Sequence, residues 1–239
     1  MKPHFCSSAD LKANQLVCYY FKNTGLFDCS CNFREILSKG ELGVFESKIG
    51  HYAAMYRNNK VLLRLALGNY MRVEPGLVEF DHGSAKPKVK SSIVTDFNIS
   101  HSGNNLAVVI ACSGNTGVDL EFVREIKYRQ KIAARLFSYN EQLMLAACKY
   151  DSKEFIRLWT MKEAAVKCSG HGMYENSSFY DLSSPEFKYK NQRLAMNILV
   201  REIDNGFISM AYTAAIESVI YSCFDFKSGY NRREDLALV

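Results

Sequence analysis

The sequence predicts an α+β fold. Segments with helical periodicity and short runs with strand character occur in both halves of the chain, and the strand-like runs follow one another closely enough to pair antiparallel. The hydrophobic content of 48% is ordinary for a globular core, and 239 residues suit one large domain or two smaller ones. We therefore expect helices with antiparallel strands, and not a doubly wound parallel sheet.

The first half is predicted to contain one long amphipathic helix over residues 47–68, where apolar residues recur with helical spacing. Three short runs follow at 97–102, 105–112 and 116–122. They are rich in β-branched residues and are separated by Gly and Asn, which is typical of strands joined by tight turns.

The second half begins with two predicted helices. Ser138 and Glu141 have the S-x-x-E spacing of a capping box, so the first of these helices should begin at Tyr139. The next should cover about 153–169 and end at the glycines of Gly170-His171-Gly172.

Three strand-like runs follow in the last part of the chain. Runs at 196–203 and 207–215 flank Asp204-Asn205-Gly206, which predicts a hairpin, and a third run covers 218–224. Helices and antiparallel strands are thus predicted in both halves.

Composition restricts the cellular setting and the partners. The N-terminus has no uninterrupted apolar core of a signal peptide, and the apolar run 106–112 is too short to cross a bilayer, so we expect a cytoplasmic protein with no membrane partner. The eight cysteines form no C-x-x-C pair; reduced, packed thiols are expected, and the spacing of Cys29 and Cys31 is only a weak sign of metal. A net charge of +5 favours anionic ligands or an acidic partner, and no aromatic and basic stripe indicates nucleic acid.

Two acidic residues two positions apart give the first chemical signal. On a strand, Asp119 and Glu121 share one face while Val118 and Leu120 lie on the other. Their face either meets solvent at an edge strand or forms a metal site, because two such charges repel unless water or a cation separates them. Mg²⁺ takes oxygen ligands, commonly one or two carboxylates completed by water and phosphates.

A row on the following helix gives the second signal. Trp159, Glu163 and Lys167 are four residues apart and share a helix face. The ordinary interpretation is a packed tryptophan beside a surface ion pair that contributes about 0.2–0.5 kcal/mol. In the chemical interpretation, Glu163 is a third metal ligand and Lys167 offsets phosphate charge, as phosphoryl transfer requires.

These motifs stand in an order that resembles a known family. SHS at 100–102, GVDLE at 117–121 and WTMKEAAVK at 159–167, followed by Gly170-His171-Gly172, are similar to the 4′-phosphopantetheinyl transferases of the surfactin-synthetase-activating type. The resemblance is specific from about residue 97 to 172. Where the family has Gly-Lys-Pro, this chain has Ala85-Lys86-Pro87.

The resemblance implies a role for eight side chains. Three carboxylates would bind Mg²⁺ together with the coenzyme A pyrophosphate: Asp119, Glu121 and Glu163. Ser100 and His101 would contact coenzyme A phosphates, and Lys167 would lie beside the pyrophosphate. Lys86 would lie against the nucleotide, and Arg57 would bind the 3′-phosphate from a place before the first long helix. Glu163 and Lys167 would be the catalytic residues, and whether Glu163 also takes the proton of the attacking serine stays open. Taken singly, His101 is a turn residue and Lys86 and Arg57 are solvated charges.

The resemblance also implies a fold and an activity. Two similar α+β halves, 1–114 and 115–239, would be related by a pseudo-twofold axis, with the active site in the cleft between them and the crossing near 113–115. A monomer would transfer phosphopantetheine from coenzyme A to a serine of an apo acyl or peptidyl carrier protein and release 3′,5′-ADP. The alternative is a non-catalytic coenzyme A or carrier-binding protein of the same fold; the sequence does not choose among carriers of fatty acid or secondary metabolite biosynthesis.

Overall fold

Helices and strands occur in separate runs along the described part of the chain, which confirms the predicted α+β class. The computed structural model describes residues 14–27, 33–81, 86–94, 96–170, 177–213 and 216–237. The helices are α1 Phe33–Ile36, α2 Lys39–Glu46, α3 Gly50–Met71, α4 Arg129–Leu136, α5 Tyr139–Ala147 and α6 Ser152–Ser169. The strands are β1 Gln15–Lys22, β2 Phe80–Asp81, β3 Lys88–Val89, β4 Asp96–Ser102, β5 Asn105–Ala111, β6 Thr116–Phe122, β7 Tyr180–Asp181, β8 Lys188–Tyr189, β9 Gln192–Arg193, β10 Asn197–Ile203, β11 Gly206–Tyr212, β12 Ser218–Asp225 and β13 Tyr230–Ala237.

The chain divides into two compact units. The first unit consists of Met1–Phe97, Gly103–Ser113 and Ile216–Val239, and the second of Asn98–Ser102 and Gly114–Ala215. The strand β4 therefore contributes to both. The pseudo-twofold relation between halves, with a cleft between them, stays a prediction.

The first unit is organised around β1, which is buried from Leu16 to Phe21. Its sheet has the order β13-β12-β1-β5-β4, in which β1 runs antiparallel to β5 and parallel to β12. An interior strand with neighbours on both sides reads as a continuous apolar run, which explains the sequence LVCYYF. The long helix α3 contributes Val61, Leu62 and Leu67 to the core of this unit.

The parallel pairing of β1 with β12 changes the predicted domain limits. It extends over eight residue pairs, from Gln15 with Ser218 to Lys22 with Asp225. The last strands of the chain therefore complete the N-terminal sheet, and the predicted limits 1–114 and 115–239 differ from the compact units at 216–239 and at Asn98–Ser102. Pairing between strands so far apart in the chain has no signature in local sequence.

The second unit has a three-stranded antiparallel sheet with the order β10-β11-β6. The hairpin between β10 and β11 turns at Asp204 and Asn205, as predicted, and Asn205 has a φ of 54°. The helix α6 packs against β6 and β11. A second small sheet, β7-β8-β9, follows in the chain.

The start of α5 and the end of α6 carry the capping groups that the sequence predicts. The Ser138 side chain accepts from the Glu141 amide and the Glu141 side chain accepts from the Ser138 amide, so α5 starts at Tyr139. The Asp151 carboxylate caps α6, which ends at Gly170 with a φ of 74°. His171 and Gly172 lie outside the described residues.

Gly117 permits an unusually close approach of α6 to β6. A Cβ atom placed on Gly117 would lie 2.1 Å from the Ala164 carbonyl oxygen and 2.5 Å from the Cys168 amide nitrogen. Both are backbone atoms of α6, which have no side-chain freedom to move away. The absence of a side chain at 117 therefore sets the distance between the strand that carries Asp119 and the helix that carries Glu163.

Gly117→Ala should destabilise the protein because the new methyl group collides with the backbone of α6. We expect the free energy of unfolding to fall by about 2 kcal/mol or more, measured by urea unfolding. The matched control is Gly43→Ala, on an exposed stretch of α2 where a Cβ meets nothing within 4 Å; it should be neutral or slightly stabilising. Equal stability of the two variants would show that the close approach is not a constraint.

A buried ion pair joins α6 to α5 and to the chain that follows. Lys162 and Glu141 both have side chains with 0% exposure, and the Lys162 Nζ lies 2.5 Å from Glu141 Oε2. The same ammonium donates to the carbonyl oxygens of Ser177 at 2.9 Å and Tyr180 at 2.7 Å. Burial lowers the pKa of Lys162, and Glu141 opposes this. Lys162 is thus a structural residue within the W-T-x-K-E motif.

Lys162→Met should strongly destabilise the protein, because it keeps the side-chain volume but leaves the Glu141 carboxylate buried without its cation. We expect the free energy of unfolding to fall by about 3–5 kcal/mol in urea. Lys153→Met is the control, since Lys153 pairs with Glu202 on the surface; its unfolding midpoint should hardly change. If Lys162→Met unfolds with the wild-type midpoint, the buried pair is not a structural tie.

Among the described residues, Cys18, Cys112, Cys148, Cys168 and Cys223 are free thiols. Cys6, Cys29 and Cys31 lie outside the described residues. Of the helices in the described ranges, none is both long and apolar enough to cross a membrane.

Candidate functional site

Polar side chains alternate along β4 and meet β6. Strand periodicity places residues 98, 100 and 102 on one face. The three contacts are Asn98 Oδ1 accepting from the Val118 amide at 3.1 Å, Ser100 Oγ donating to Asp119 Oδ1 at 2.9 Å, and Ser102 Oγ donating to Glu121 Oε2 at 3.1 Å. The two serines of the SHS motif therefore hold the two carboxylates of the GVDLE motif.

Asp119 is a buried carboxylate with one oxygen unused. The residue is 5% exposed, and its Oδ1 accepts from Ser100 and from the Lys167 ammonium at 2.7 Å. Its Oδ2 is buried and has no hydrogen-bond partner among the described residues. Burial raises the pKa of Asp119, while Lys167 and Ser100 oppose the rise. The alternative of an acidic face open to solvent is therefore wrong at Asp119.

Glu163 lies within the electrostatic reach of both β6 carboxylates. Burial raises its pKa, the neighbouring charges of Asp119 and then Glu121 raise it further, and Lys167 opposes them. Within the part of the chain that the structure describes, the Glu163 side chain makes no hydrogen bond or ion pair. The three predicted metal ligands thus repel one another, and α6 brings the third of them to the strand.

Lys167 supplies the cation of this group. Its Nζ donates to Asp119 Oδ1 at 2.7 Å and to the Val118 carbonyl oxygen at 3.1 Å, and lies 3.4 Å from Ser100 Oγ. In this structure the ammonium of Lys167 neutralises Asp119. Its predicted position beside a pyrophosphate stays a prediction.

Glu121 has a cationic partner that the sequence analysis did not identify. Arg124 Nη1 donates to Glu121 Oε2 at 2.6 Å, and its Nη2 lies 3.5 Å from Oε1. Ser102, also missed, donates to the same Oε2. The signals were present, because Ser102 shares a strand face with Ser100 and Arg124 follows Glu121 by three residues.

Trp159 is a packing residue, as the ordinary interpretation predicted. Its ring stacks on Phe155 with centroids 6.3 Å apart and lies 6.5 Å from Phe137. The tryptophan packs against the core of the second unit. Its role is to fix α6, one turn before Glu163.

Three of the residues predicted to contact coenzyme A, Arg57, Lys86 and His101, are not among the partners described above for the three carboxylates. Arg57 belongs to the first unit and lies within α3, not before it; its Nε donates to Asn58 at 3.0 Å and its guanidinium lies 5.4 Å from the Phe33 ring centroid. Lys86, in the same unit, pairs with Asp96. His101 is exposed on β4. The contacts of these residues and of Ser100 with coenzyme A stay predictions.

The carboxylates fit a divalent cation as a partial ligand set. Among the described residues, no three His, Cys, Asp or Glu side chains form a metal-binding group by themselves. The buried, unpartnered Oδ2 of Asp119 and the mutual repulsion of Asp119, Glu121 and Glu163 nevertheless suit a hard cation. Mg²⁺ commonly takes one or two carboxylates and completes its shell with water and phosphate oxygens.

Glu163→Gln should stabilise the metal-free protein at neutral and alkaline pH. Because the folded-state pKa of Glu163 is raised, the folded state holds the proton more tightly than the unfolded state, and stability is lost as pH rises through the folded pKa. Glutamine does not ionise, so the melting temperature of the variant should exceed that of the wild type by about 1–3 °C at pH 8 in EDTA. The difference in melting temperature should vanish below about pH 4, where the Glu163 carboxyl is protonated in both the folded and the unfolded state.

The control for this pH series is Glu154→Gln, on the same helix, where Glu154 is paired with Arg157 at the surface. It should show no gain that grows with pH. A Glu163→Gln variant whose melting temperature follows the wild type at every pH would show that Glu163 carries no electrostatic strain.

Comparisons with known proteins agree with these motifs. The sequence profile of the 4′-phosphopantetheinyl transferase superfamily matches residues 115–214. The 4′-phosphopantetheinyl transferase HetI of Nostoc sp. is 36% identical over 118 residues, 47% of this chain and 50% of the relative. AcpT of Salmonella typhimurium is 30% identical over 144 residues, which cover 58% of this chain and 72% of the relative. The psf-1 protein of Bacillus pumilus is 36% identical over 100 residues, which cover 41% of this chain and 42% of the relative.

The chain spans about half the length of HetI and of another relative, a putative 4′-phosphopantetheinyl transferase of Synechocystis sp.. The superfamily profile includes β6 and α6, which carry the three carboxylates and Lys167. The match to the Salmonella protein extends over most of that relative. On these grounds the chain belongs to the 4′-phosphopantetheinyl transferase superfamily.

Proposed function

We propose that this protein transfers the 4′-phosphopantetheine group of coenzyme A to a serine of an apo carrier protein, with Mg²⁺ as cofactor and 3′,5′-ADP as the second product. The buried Asp119 oxygen without a partner, set among three carboxylates that repel one another, is the observation that carries the proposal. Such a group is unfavourable on its own and becomes favourable when a cation and the pyrophosphate it neutralises bind there.

The balance of the reaction sets what the side chains must do. The carrier serine oxygen forms a bond to the β-phosphorus of coenzyme A, the bond from that phosphorus to the 3′,5′-ADP oxygen breaks, and the serine proton leaves. Positioning and charge neutralisation provide most of the rate in phosphoryl transfer. Bound Mg²⁺ supplies charge neutralisation for the pyrophosphate.

Two residues of α6 have separate tasks in this proposal. Glu163, whose pKa is raised by burial and by Asp119 and Glu121, is suited to accept the serine proton, because a base works best when its pKa is closer to the working pH. Lys167 holds Asp119 in the free protein, and in this proposal its ammonium would also donate to a pyrophosphate oxygen.

The remaining ligand contacts are proposed from the family resemblance. Ser100 and His101 would contact phosphates of coenzyme A, Lys86 the nucleotide and Arg57 the 3′-phosphate. In this structure Ser100 donates a hydrogen bond to Asp119, and Lys86 forms an ion pair with Asp96. Coenzyme A would therefore have to compete with Asp119 and Asp96 for these two side chains.

We place the protein in the surfactin-synthetase-activating type, acting as a cytoplasmic monomer on an acyl or peptidyl carrier. The order and spacing of SHS, GVDLE and WTMKEAAVK support this placement. The relatives psf-1 and gsp of Aneurinibacillus migulanus, both named 4′-phosphopantetheinyl transferases, support the activity. The net charge of +5 suits an acidic carrier without choosing among pathways.

The test is transfer to a panel of apo acyl and peptidyl carriers with coenzyme A and Mg²⁺, read by intact mass. At least one carrier should gain the mass of one phosphopantetheine. Asp119→Asn and Glu163→Gln should each lower the rate by about 100-fold or more, because each removes charge that acts in the transition state. Lys153→Gln, which breaks the surface pair with Glu202, should keep the wild-type rate.

The outcomes separate the proposal from its alternative. If no carrier gains mass while coenzyme A binds in an Mg²⁺-dependent manner, the protein is a non-catalytic binding protein of the same fold. If transfer occurs and the two carboxylate variants keep normal rates, the assignment of Asp119 and Glu163 is wrong.

A further inference from the structure

Arg124 occupies a carboxylate that the proposed function needs for its metal. Its guanidinium forms a fork on Glu121, with one nitrogen 2.6 Å from Oε2 and the other 3.5 Å from Oε1. Ser102 donates to the same Oε2. Both oxygens of Glu121 are therefore directed toward donors that a divalent cation would have to displace or share.

We infer that Arg124 is a positioning residue that competes with the metal: it holds Glu121 in the metal-free protein and must leave that carboxylate when a divalent cation binds. The inference rests on the proposed function, since it takes Glu121 as a metal ligand. It adds a residue that neither the GVDLE motif nor the WTMKEAAVK motif contains.

Charge explains why the metal-free protein uses such a cation. Asp119 and Glu121 lie two residues apart on β6 and Glu163 adds a third negative charge nearby. Lys167 neutralises Asp119 at 2.7 Å and Arg124 neutralises Glu121 at 2.6 Å. Without the two cations, the carboxylates would repel one another more strongly in this partly buried site.

The two cations differ in how readily they can leave. The Lys167 ammonium is held by Asp119, by the Val118 carbonyl oxygen and by Ser100, and its side chain is 29% exposed. The side chain of Arg124 is 53% exposed, and apart from Glu121 its acceptor among the described residues is the Phe122 carbonyl oxygen at 3.3 Å. Water can replace the bonds of an exposed guanidinium, so Arg124 is the cation that yields.

Displacement of Arg124 has a second consequence. A guanidinium released from Glu121 has its fork free for another anion, and phosphate is an anion that this geometry fits. Metal entry at Glu121 therefore makes an arginine available beside the place where a pyrophosphate would be neutralised. Because a guanidinium leaves Glu121 as a divalent cation arrives, the positive charge bound to that carboxylate rises by one unit and not by two.

The test measures the affinity of the 239-residue chain for Mn²⁺, with neither coenzyme A nor carrier present, from the electron paramagnetic resonance signal of free Mn²⁺. Arg124→Gln should bind Mn²⁺ about two- to fivefold more tightly than the wild type, the range expected from removing an exposed ion pair. Lys153→Gln removes one positive charge from the surface pair with Glu202 and should leave the affinity unchanged.

Two further variants distinguish competition from a structural effect. Arg124→Lys keeps the charge but lacks the fork, so its Mn²⁺ affinity should lie between those of the wild type and Arg124→Gln. In a Glu121→Gln background, Arg124→Gln should tighten Mn²⁺ binding less than it does in the wild type, because the carboxylate it competed for is gone.

Each result of these measurements either supports or overturns the inference about Arg124. An Arg124→Gln affinity equal to or weaker than that of the wild type overturns the inference and leaves the transfer proposal standing, and so does a wild-type protein that takes up no Mn²⁺ while carriers still gain mass. If Arg124→Gln tightens Mn²⁺ binding and no carrier gains mass, the competition is real and the proposed transfer is wrong.

Discussion

The contact between α6 and β6 is the constraint on which the site depends. The two backbones touch at Gly117, where any Cβ would overlap the Ala164 carbonyl oxygen. That contact brings the Lys167 ammonium to 2.7 Å from Asp119 and places Glu163 within electrostatic reach of both carboxylates of β6. Three further interactions hold α6 in place: the cap by Asp151, the stacking of Trp159 on Phe155, and the buried ion pair of Lys162.

The site stores electrostatic strain that the rest of the second unit must offset. Burial raises the pKa values of Asp119 and Glu163, so their ionised forms oppose folding at neutral pH. The Lys162–Glu141 pair is also buried and charged, yet each oxygen and hydrogen there has a partner, including the Leu182 amide that donates to Glu141. The two buried charge groups therefore differ in kind: one is satisfied and structural, the other is unsatisfied and suited to a ligand.

Much of the fold could be predicted because its signals are local. Capping groups at Ser138 and Gly170 and the strand patterns of β4, β5 and β6 depend on neighbouring residues, and the structure confirms them. The parallel pairing of β1 with β12 joins the two ends of the chain, so no window of sequence contains it. The predicted limits 1–114 and 115–239 missed it for that reason.

The candidate site divides in the same way. Asp119, Glu121, Glu163 and Lys167 were found because strand and helix periods place them on shared faces, and the structure brings them together. Sequence did not show which partners these groups have without a ligand, since that depends on packing between β4, β6 and α6. Ser100 proved to hold Asp119, and Ser102 and Arg124 to hold Glu121. The motifs thus predict which side chains lie close together, whereas the hydrogen bonds and ion pairs that these side chains form come from the folded structure.

The contacts of Asp119 and Glu121 also bear on how the proposed cation would bind. Asp119 has an oxygen that no described residue uses, while both oxygens of Glu121 face donors. Under the proposed function, a cation could take the free oxygen of Asp119 without breaking a hydrogen bond, but it would have to displace Arg124 to reach Glu121. Asp119 would therefore be the ligand that needs no exchange, and Glu121 would join the ligand set only as the guanidinium moves to solvent or to an incoming phosphate.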